Sequence, residues 1–471
     1  MTFDELRGLL EPHNQGDLLR FWDSLDDPQR TALVDQIEQI DFPLIERLTE
    51  QWIRSAPEPE AFKRIEPVKV VPKANPNDLD AQRAFQTGEE ALAAGRVGLV
   101  LVAGGQGTRL GFEGPKGAYP IGPVTKRSLF AYHADKIHAT QRRYGCTLPW
   151  YIMVGESNEK ATRAFFNEHA FFGLNPDDVV FFKQLMVPCV GEDGQLFLET
   201  KDRVAMNPNG HGGSIPAMVE NGITADAKRR GIDTLSYFQV DNWAVKLADP
   251  YFIGHHVLGN AEFSAKAIRK TEPREAAGVF CVCDGQTRVI EYTELDIYPD
   301  LLKTDSQGGL LHFAINPAIH ILSVEFVERV FAIFDRFPWH CSHKAIPHLD
   351  ESGKAVSPSG PNGYKFETFV FDALEFTTRD PVILEIDREG EFTPTKKPEG
   401  VDSVASAQVM MRDMWAAWLE AAGWDIPRDD DGAVSIQIEI SPAFAFSKEE
   451  FLDKSGALEQ GPAGDIVITA D

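Results

Sequence analysis

Val97-Gly98-Leu99-Val100-Leu101-Val102-Ala103-Gly104-Gly105-Gln106-Gly107-Thr108-Arg109-Leu110-Gly111 is the stretch on which the fold turns. Val97 to Ala103 carry no polar side chain, as expected of a strand buried on both faces. Four of the next eight residues are glycine. Missing side chains let backbone N–H groups approach an anion closely, and glycine tolerates tight turns. Such a loop at the carboxyl end of a first strand is where open α/β sheets bind nucleotides. No Gly-Lys-Ser/Thr follows the last glycine, which excludes a Walker A loop. The dinucleotide fingerprint would need glycine at position 110, which is Leu110. A glycine-rich turn with no ligand is the plain alternative. Arg109 and Lys116, just past the glycines, suit the triphosphate of a nucleotide, because two polyanions must be brought together in a phosphoryl-type transfer.

Working outward, Ser128–Tyr144 reads as a helix with Ser128 as N-cap and Gly145 past its end. Apolar runs at Trp150–Val154, Val179–Phe182 and Leu235–Val240 alternate with helical segments at about 160–170 and 214–230. This alternation predicts an α/β fold with a Rossmann-like, mostly parallel sheet flanked by helices. Asp284-Gly285 between two apolar runs predicts a hairpin in a smaller antiparallel layer. A helix over about 403–422 and an alternating, half-buried strand over Val434–Ile440 predict a small C-terminal α+β region.

Toward the N-terminus, Leu18, Phe21, Trp22 and Leu25 fall at i, i+3, i+4 and i+7, and Leu33, Ile37 and Ile40 continue that spacing. Short amphipathic helices are expected over 1 to about 55. They form either a partner-binding bundle or an extension packed on the main domain. Pro57, Pro59, Pro67, Pro72 and Pro76 predict an extended arm. A helix over about 79–94 should end at Gly95. The expected domains are therefore 1–95, a helical extension and arm; 96–375, the catalytic α/β domain; and 376–471, the C-terminal α+β region.

With 46 basic and 72 acidic residues the formal net charge is −26. An acidic chain has no general attraction to nucleic acid or anionic membrane, so neither is an expected partner. The five cysteines, Cys146, Cys189, Cys281, Cys283 and Cys341, do not read as a disulfide framework. Cys281 and Cys283 are expected to be reduced core thiols facing opposite sides of a strand. With neither a leader pattern nor a run of about 20 apolar residues, the chain is expected to be cytoplasmic, and a monomer or weak oligomer.

The stretch Leu99–Gly111, followed by Pro115-Lys116-Gly117, resembles the signature of the UDP-N-acetylglucosamine pyrophosphorylases, within the wider UDP-sugar pyrophosphorylase family. The resemblance runs from about residue 90 to 445. It continues through Val240-Asp241-Asn242, Pro361-Asn362-Gly363, Phe369-Val370-Phe371-Asp372, Glu391–Lys396 and Ile436–Pro442. It implies a nucleotidyltransferase-type fold, and a uridylyltransferase that makes UDP-sugar and pyrophosphate from UTP and a sugar 1-phosphate. N-acetylglucosamine 1-phosphate is the favoured substrate, with glucose 1-phosphate or broad specificity as the alternative.

The resemblance also implies the site. Asp241 would hold Mg²⁺ (or Mn²⁺) together with phosphate oxygens. Arg109, Lys116 and Lys396 would be the catalytic cations, with Lys397 an open alternative to Lys396. Gly104, Gly105, Gly107, Gln184 and Gly210 would bind the nucleotide, with the Gln184 amide on the uracil edge. His211, Gly278, Glu291, Phe369 and Phe371 would line the sugar. Phe369 and Phe371, two apart, would share one face of a strand. His211 stands where the N-acetylglucosamine enzymes usually have Asn, and Ile319 where a second sugar-contacting Asn is usual. Asn242 is expected to support the turn after Asp241.

The implied reaction is direct displacement, with the sugar-phosphate oxygen attacking the α-phosphorus of UTP. It needs no general base, because the nucleophile is already anionic. The rivals are a glycosyltransferase and a non-catalytic UDP-sugar-binding protein. The first generally shows Asp-x-Asp after a strand, whereas Asp78-Leu79-Asp80 begins a helix and Asp429-Asp430-Asp431 is a polar turn. The second would be expected to have lost Arg109, Lys116 or Asp241.

Overall fold

The computed structural model describes residues 1–55, 58–75, 77–458 and 464–470. Pro57 and Pro76 of the expected arm lie outside the described residues. The chain forms two compact units, and each draws on separated stretches of sequence. The first comprises Met1–Ala61, Gln184–Ser214 and Ile333–Asp372; the second comprises Phe62–Lys183, Ile215–Ala332 and Ala373–Asp471. This differs from the linear three-part division expected, because two insertions leave the large sheet and build on the N-terminal helices.

The second unit holds an 11-stranded sheet. Val179–Lys183, Trp150–Val154, Val97–Val102 and Thr234–Gln239 lie side by side and parallel. His320–Ser323 then runs antiparallel to Thr234–Gln239 and to Phe263–Arg269, and Val382–Glu385 pairs parallel with Phe263–Arg269. The parallel strands read as continuous apolar runs because helices cover both faces; Leu99, Val100, Leu101, Trp150 and Ile152 are fully buried. The helix Leu129–Tyr144 starts at Ser128, whose hydroxyl accepts from Ala131 N–H, and stops at the left-handed Gly145. The helices Leu79–Ala93 and Pro250–Leu258 cross at Gly88 and Gly254. A Cβ on Gly254 would lie 1.6 Å from the Ala84 carbonyl oxygen, so only glycine lets the backbones touch.

The expected hairpin is present. Val279–Cys283 pairs with Gln286–Ile290, and Asp284 and Gly285 both take positive φ, the geometry of a type I′ turn. Cys281 and Cys283 do not face opposite sides. Their Sγ atoms are 3.6 Å apart on one buried face, because side chains two apart on a strand point the same way. The helical segment 214–230 is two helices, Ser214–Glu220 and Ile223–Arg229, broken at the left-handed Gly222. The helix expected over about 403–422 is Val404–Ala421 with Ser403 as N-cap. The strand expected over Val434–Ile440 shortens to Ile438–Ile440 and is buried throughout. Its partner Ile466–Ile468 covers an edge that alternation alone left open.

In the first unit, helices span Phe3–Leu10, Asp27–Glu38 and Phe42–Thr49. Leu18–Leu25 is not one helix but two short 3₁₀ turns, Gly16–Leu19 and Trp22–Ser24. Those turns still bury Leu18 and Leu25, so the apolar spacing served packing without a helix. Leu6, Leu10, Leu33 and Ile37 share a core with Val190, Leu198, Trp339 and Phe366. The N-terminal helices are thus the foundation of this unit. Among the described residues no helix is long and apolar enough to cross a membrane.

Candidate active site

The glycine-rich loop leaves the parallel sheet at Ala103. Gly107 N–H donates to the Gly114 carbonyl at 2.9 Å, and Lys116 N–H to the Gly105 carbonyl at 3.1 Å. The loop therefore closes on itself and returns Lys116 to the sheet edge. Val102 is paired with Gln239 on the neighbouring parallel strand, so the loop and Asp241 emerge side by side at carboxyl ends. Lys116 Nζ sits 2.7 Å from Asp241 Oδ2. The backbone N–H groups of Gly104, Gly105 and Gln106 meet no acceptor among the described residues. A Cβ on Gly105 would meet nothing within 4 Å, whereas one on Gly107 would strike Phe112 at 2.7 Å. Gly105 thus borders open space, and Gly107 is glycine for packing. Arg109 is exposed.

A second backbone segment is laid against Asp241. Thr395 donates to the Asp241 carbonyl through its N–H at 3.0 Å and its hydroxyl at 3.1 Å. Asn242 donates to the Glu391 carbonyl at 2.7 Å and accepts from Thr393 N–H at 3.0 Å. Asn242 therefore does more than support its turn: it ties the segment 391–396 to the turn that carries Asp241. Lys396 stands at the end of that segment, exposed, with its N–H on the Asp402 carbonyl. Lys397 is equally exposed, so the geometry leaves both lysines available. Below them, Lys266 is fully buried, donating to Asp249 at 2.7 Å and to Glu391. Sequence reading missed this ionic anchor; a lysine inside the apolar strand Phe263–Arg269 was the signal for it.

Gly278 and Glu291 come together, since a Cβ on Gly278 would lie 2.9 Å from Glu291 Oε1. The Glu291 carboxylate also caps the short turn Tyr292–Glu294. The Gly278 carbonyl accepts from Asn316 N–H at 2.9 Å. Ile319 is only 3% exposed, within the core of this unit.

The first unit gathers the remaining residues. Gln184 Nε2 donates to the Gly210 carbonyl at 2.9 Å. A Cβ on Gly210, Gly212 or Gly213 would collide with Thr368, Phe369 or Asn209, so this loop is pressed against the chain 368–369. His211 Nδ1 accepts from Val370 N–H at 3.1 Å. Its ring stacks on Phe369 at 5.3 Å and meets Phe371 at 5.7 Å. Phe369 and Phe371 are not on a strand: Gly363–Glu367 ends before them, and Val370–Phe376 is a 3₁₀ turn. Their rings still lie 5.2 Å apart. His340, unnoticed in the sequence, stacks on Phe369 at 4.2 Å and binds Asp372 at 2.8 Å. Burial, then the nearby His340, push the His211 pKa down to about 4. With Nδ1 accepting, the proton of the neutral ring is on Nε2.

Residues 45–415 match the family model described as UTP–glucose-1-phosphate uridylyltransferase. The chain belongs to that family. It is 37% identical over 437 residues to the UDP-N-acetylhexosamine pyrophosphorylase-like protein 1 of Xenopus tropicalis, covering 88% of this chain and 84% of that one. The UDP-N-acetylglucosamine pyrophosphorylase of Saccharomyces cerevisiae is 34% identical over 391 residues, covering 81% and 80%. The crystal structure of the uridine diphosphate N-acetylglucosamine pyrophosphorylase from Trypanosoma brucei, with an inhibitor, superposes at TM-score 0.84 and 25% identity. It covers 100% of this chain and 99% of that one. This uridylyltransferase family member is a nucleotidyltransferase, which sets aside the glycosyltransferase and binding-protein readings.

Proposed function

We propose that this uridylyltransferase converts UTP and N-acetylglucosamine 1-phosphate to UDP-N-acetylglucosamine and pyrophosphate. The observation that carries the chemistry is Lys116 Nζ at 2.7 Å from Asp241 Oδ2, beside a loop in which the Gly104, Gly105 and Gln106 N–H groups meet no acceptor among the described residues. The acetylated sugar follows from relatives named as N-acetylhexosamine and N-acetylglucosamine enzymes.

In this reading Lys116 exchanges Asp241 for phosphate oxygens when the nucleotide enters. Its ammonium then neutralises charge that builds on the α-phosphate as the pyrophosphate leaves. Arg109 serves the departing pyrophosphate, and Lys396 orients the sugar phosphate. In the second unit the backbone N–H groups of Gly104 and Gly105 bind the nucleotide; in the first unit the Gln184 amide, held on the Gly210 carbonyl, is assigned to the uracil edge. In the first unit His211 is assigned to the sugar; in the second, Gly278 contacts it through its backbone and Glu291 accepts from its hydroxyls. Among the described residues no three acidic, histidine or cysteine side chains cluster as metal ligands. A lone Asp241 carboxylate suits Mg²⁺ or Mn²⁺, which takes one or two carboxylates and completes its shell with phosphates and water. When bound, such an ion supplies charge neutralisation across the phosphates.

Glucose 1-phosphate is the second reading, favoured by one observation. Ile319 is buried in the core, so the family's second sugar-contacting amide has no counterpart. The test is pyrophosphate release from UTP with N-acetylglucosamine, N-acetylgalactosamine, glucose and galactose 1-phosphates in parallel. Release with N-acetylglucosamine 1-phosphate foremost supports the proposal. Preference for glucose 1-phosphate overturns it in favour of the second reading.

A further inference from the structure

Asn158 belongs to none of the motifs or site residues described above, yet its side-chain amide nitrogen is spent on the glycine-rich loop. It stands at the N-cap of the helix Glu159–Glu168, where an Asn side chain ordinarily accepts from its own helix. Here it makes no such capping bond. Asn158 is 0% exposed. Its Nδ2 donates to the carbonyls of Ala103 at 2.8 Å and Gly105 at 3.0 Å, and its Oδ1 accepts from Gly155 N–H at 2.9 Å.

The consequence follows from peptide geometry. The chain has no cis bond among the described residues. In a planar trans peptide the carbonyl of one residue and the N–H of the next point in opposite directions. Holding the Ala103 carbonyl toward Asn158 therefore turns the Gly104 N–H away from it. Holding the Gly105 carbonyl likewise turns away the Gln106 N–H. These are N–H groups that meet no acceptor among the described residues.

Two further contacts fix the arrangement. The Gln106 side chain donates to the Ser157 carbonyl at 2.8 Å. Gly155 lies so close that a Cβ would be 2.8 Å from the Gly104 carbonyl oxygen. The turn 155–158 and the loop 103–106 are thus built as one piece.

We propose that Asn158 is a positioning residue for uridylyl transfer, which sets the Gly104 and Gln106 N–H groups toward the nucleotide before it binds. The inference rests on the reading of this loop as the UTP site. Asn158 does not touch substrate; it acts by holding carbonyls out of the way. A purely structural side chain would affect how much protein folds but not the affinity of the folded fraction for UTP.

The experiment is UTP binding by calorimetry, with KM for UTP and for sugar phosphate, on the wild type, Asn158→Ala and Asn158→Asp. Asn158→Asp is nearly isosteric, keeps the acceptor for Gly155 and removes the donor to both carbonyls. The expected result is UTP affinity weakened about tenfold or more, with Asp at least as poor as Ala. The KM for sugar phosphate should stay within about twofold. Folded variants that bind UTP with wild-type affinity overturn the proposal. A wild type that binds no UTP overturns the nucleotide reading instead. Should neither variant fold, amide exchange on the wild type decides. Protection of the Gly104 and Gln106 N–H groups by UTP supports the proposal. Unchanged exchange with UTP bound overturns it.

Discussion

Lys116 Nζ lies 2.7 Å from Asp241 Oδ2, and each side chain is less than one-fifth exposed. The pair joins the returning arm of the glycine-rich loop to the turn after a neighbouring parallel strand. The cation and the carboxylate satisfy each other here; in the proposed reaction, arriving phosphates replace one of them. Lys116→Met should lower kcat by about 10²–10³, the size of losing one preorganised charge-stabilising group. Melting temperature should shift only a little by comparison. Steady-state rates beside a thermal melt check this; full activity in a folded variant would falsify the assignment.

Two glycines in the same loop region should respond in opposite ways. Gly105 borders open space, so Gly105→Ala fits the protein but intrudes on the proposed nucleotide site. UTP KM should rise at least about tenfold with unchanged stability. A Cβ on Gly117 would lie 2.2 Å from the buried Phe130 ring. Gly117→Ala should cost about 1–3 kcal/mol of stability through overpacking. Urea midpoints and UTP titrations on the two variants separate the effects, and equal KM values for both would contradict the distinction.

Ile319 offers a test of sugar specificity. Replacing it by Asn would restore the family's usual residue type, but the position is packed among apolar side chains. Ile319→Asn should destabilise the protein by about 2–4 kcal/mol, the cost of burying an unpaired amide and losing apolar packing. No gain for N-acetylglucosamine 1-phosphate over glucose 1-phosphate is expected. A stable variant with sharpened selectivity would show that the side chain reaches the sugar after all.

Acid sensitivity should come in part from histidines folded in their neutral form. Burial, reinforced by Lys136, pushes the His133 pKa down to about 3, and burial pushes His256 down to about 4. The unfolded chain binds these protons near pH 6.5, so between about pH 6.5 and 4 it holds more protons than the native state. Stability therefore rises with pH through that window and falls on acidification, by up to about 1.4 kcal/mol per pH unit for each histidine. His133→Gln should flatten the curve of urea midpoint against pH between 6.5 and 4. A curve of unchanged slope would remove His133 from the account.

The parallel half of the sheet was legible because its strands are apolar runs of a length and spacing that permit little else. Trp150–Val154 falls on its strand residue for residue. The glycine-rich loop was legible because glycines concentrated after such a strand mark a tight turn of the backbone. Readings failed where one periodicity fits two structures. Leu18–Leu25 has helical spacing yet folds as 3₁₀ turns, and Phe369 and Phe371 share a cluster without sharing a strand. The Cys281–Cys283 pair shows the opposite case, in which strand periodicity, rightly applied, already puts both thiols on one face.

By itself, then, the sequence determined the α/β class and the glycine-rich loop after a buried strand, through local patterns that need no distant partner, and its resemblance to the family singled out Arg109, Lys116, Asp241 and Lys396 as candidates. Tertiary structure alone decided what holds them. It built one unit from the first 61 residues and two later insertions, laid the 391–396 segment on Asp241, and set Asn158 beneath the glycine loop. Those arrangements rest on contacts between residues 50 to 150 or more positions apart. Such contacts are chosen by packing and by the pairing of buried polar groups, which leave no periodic mark on the chain.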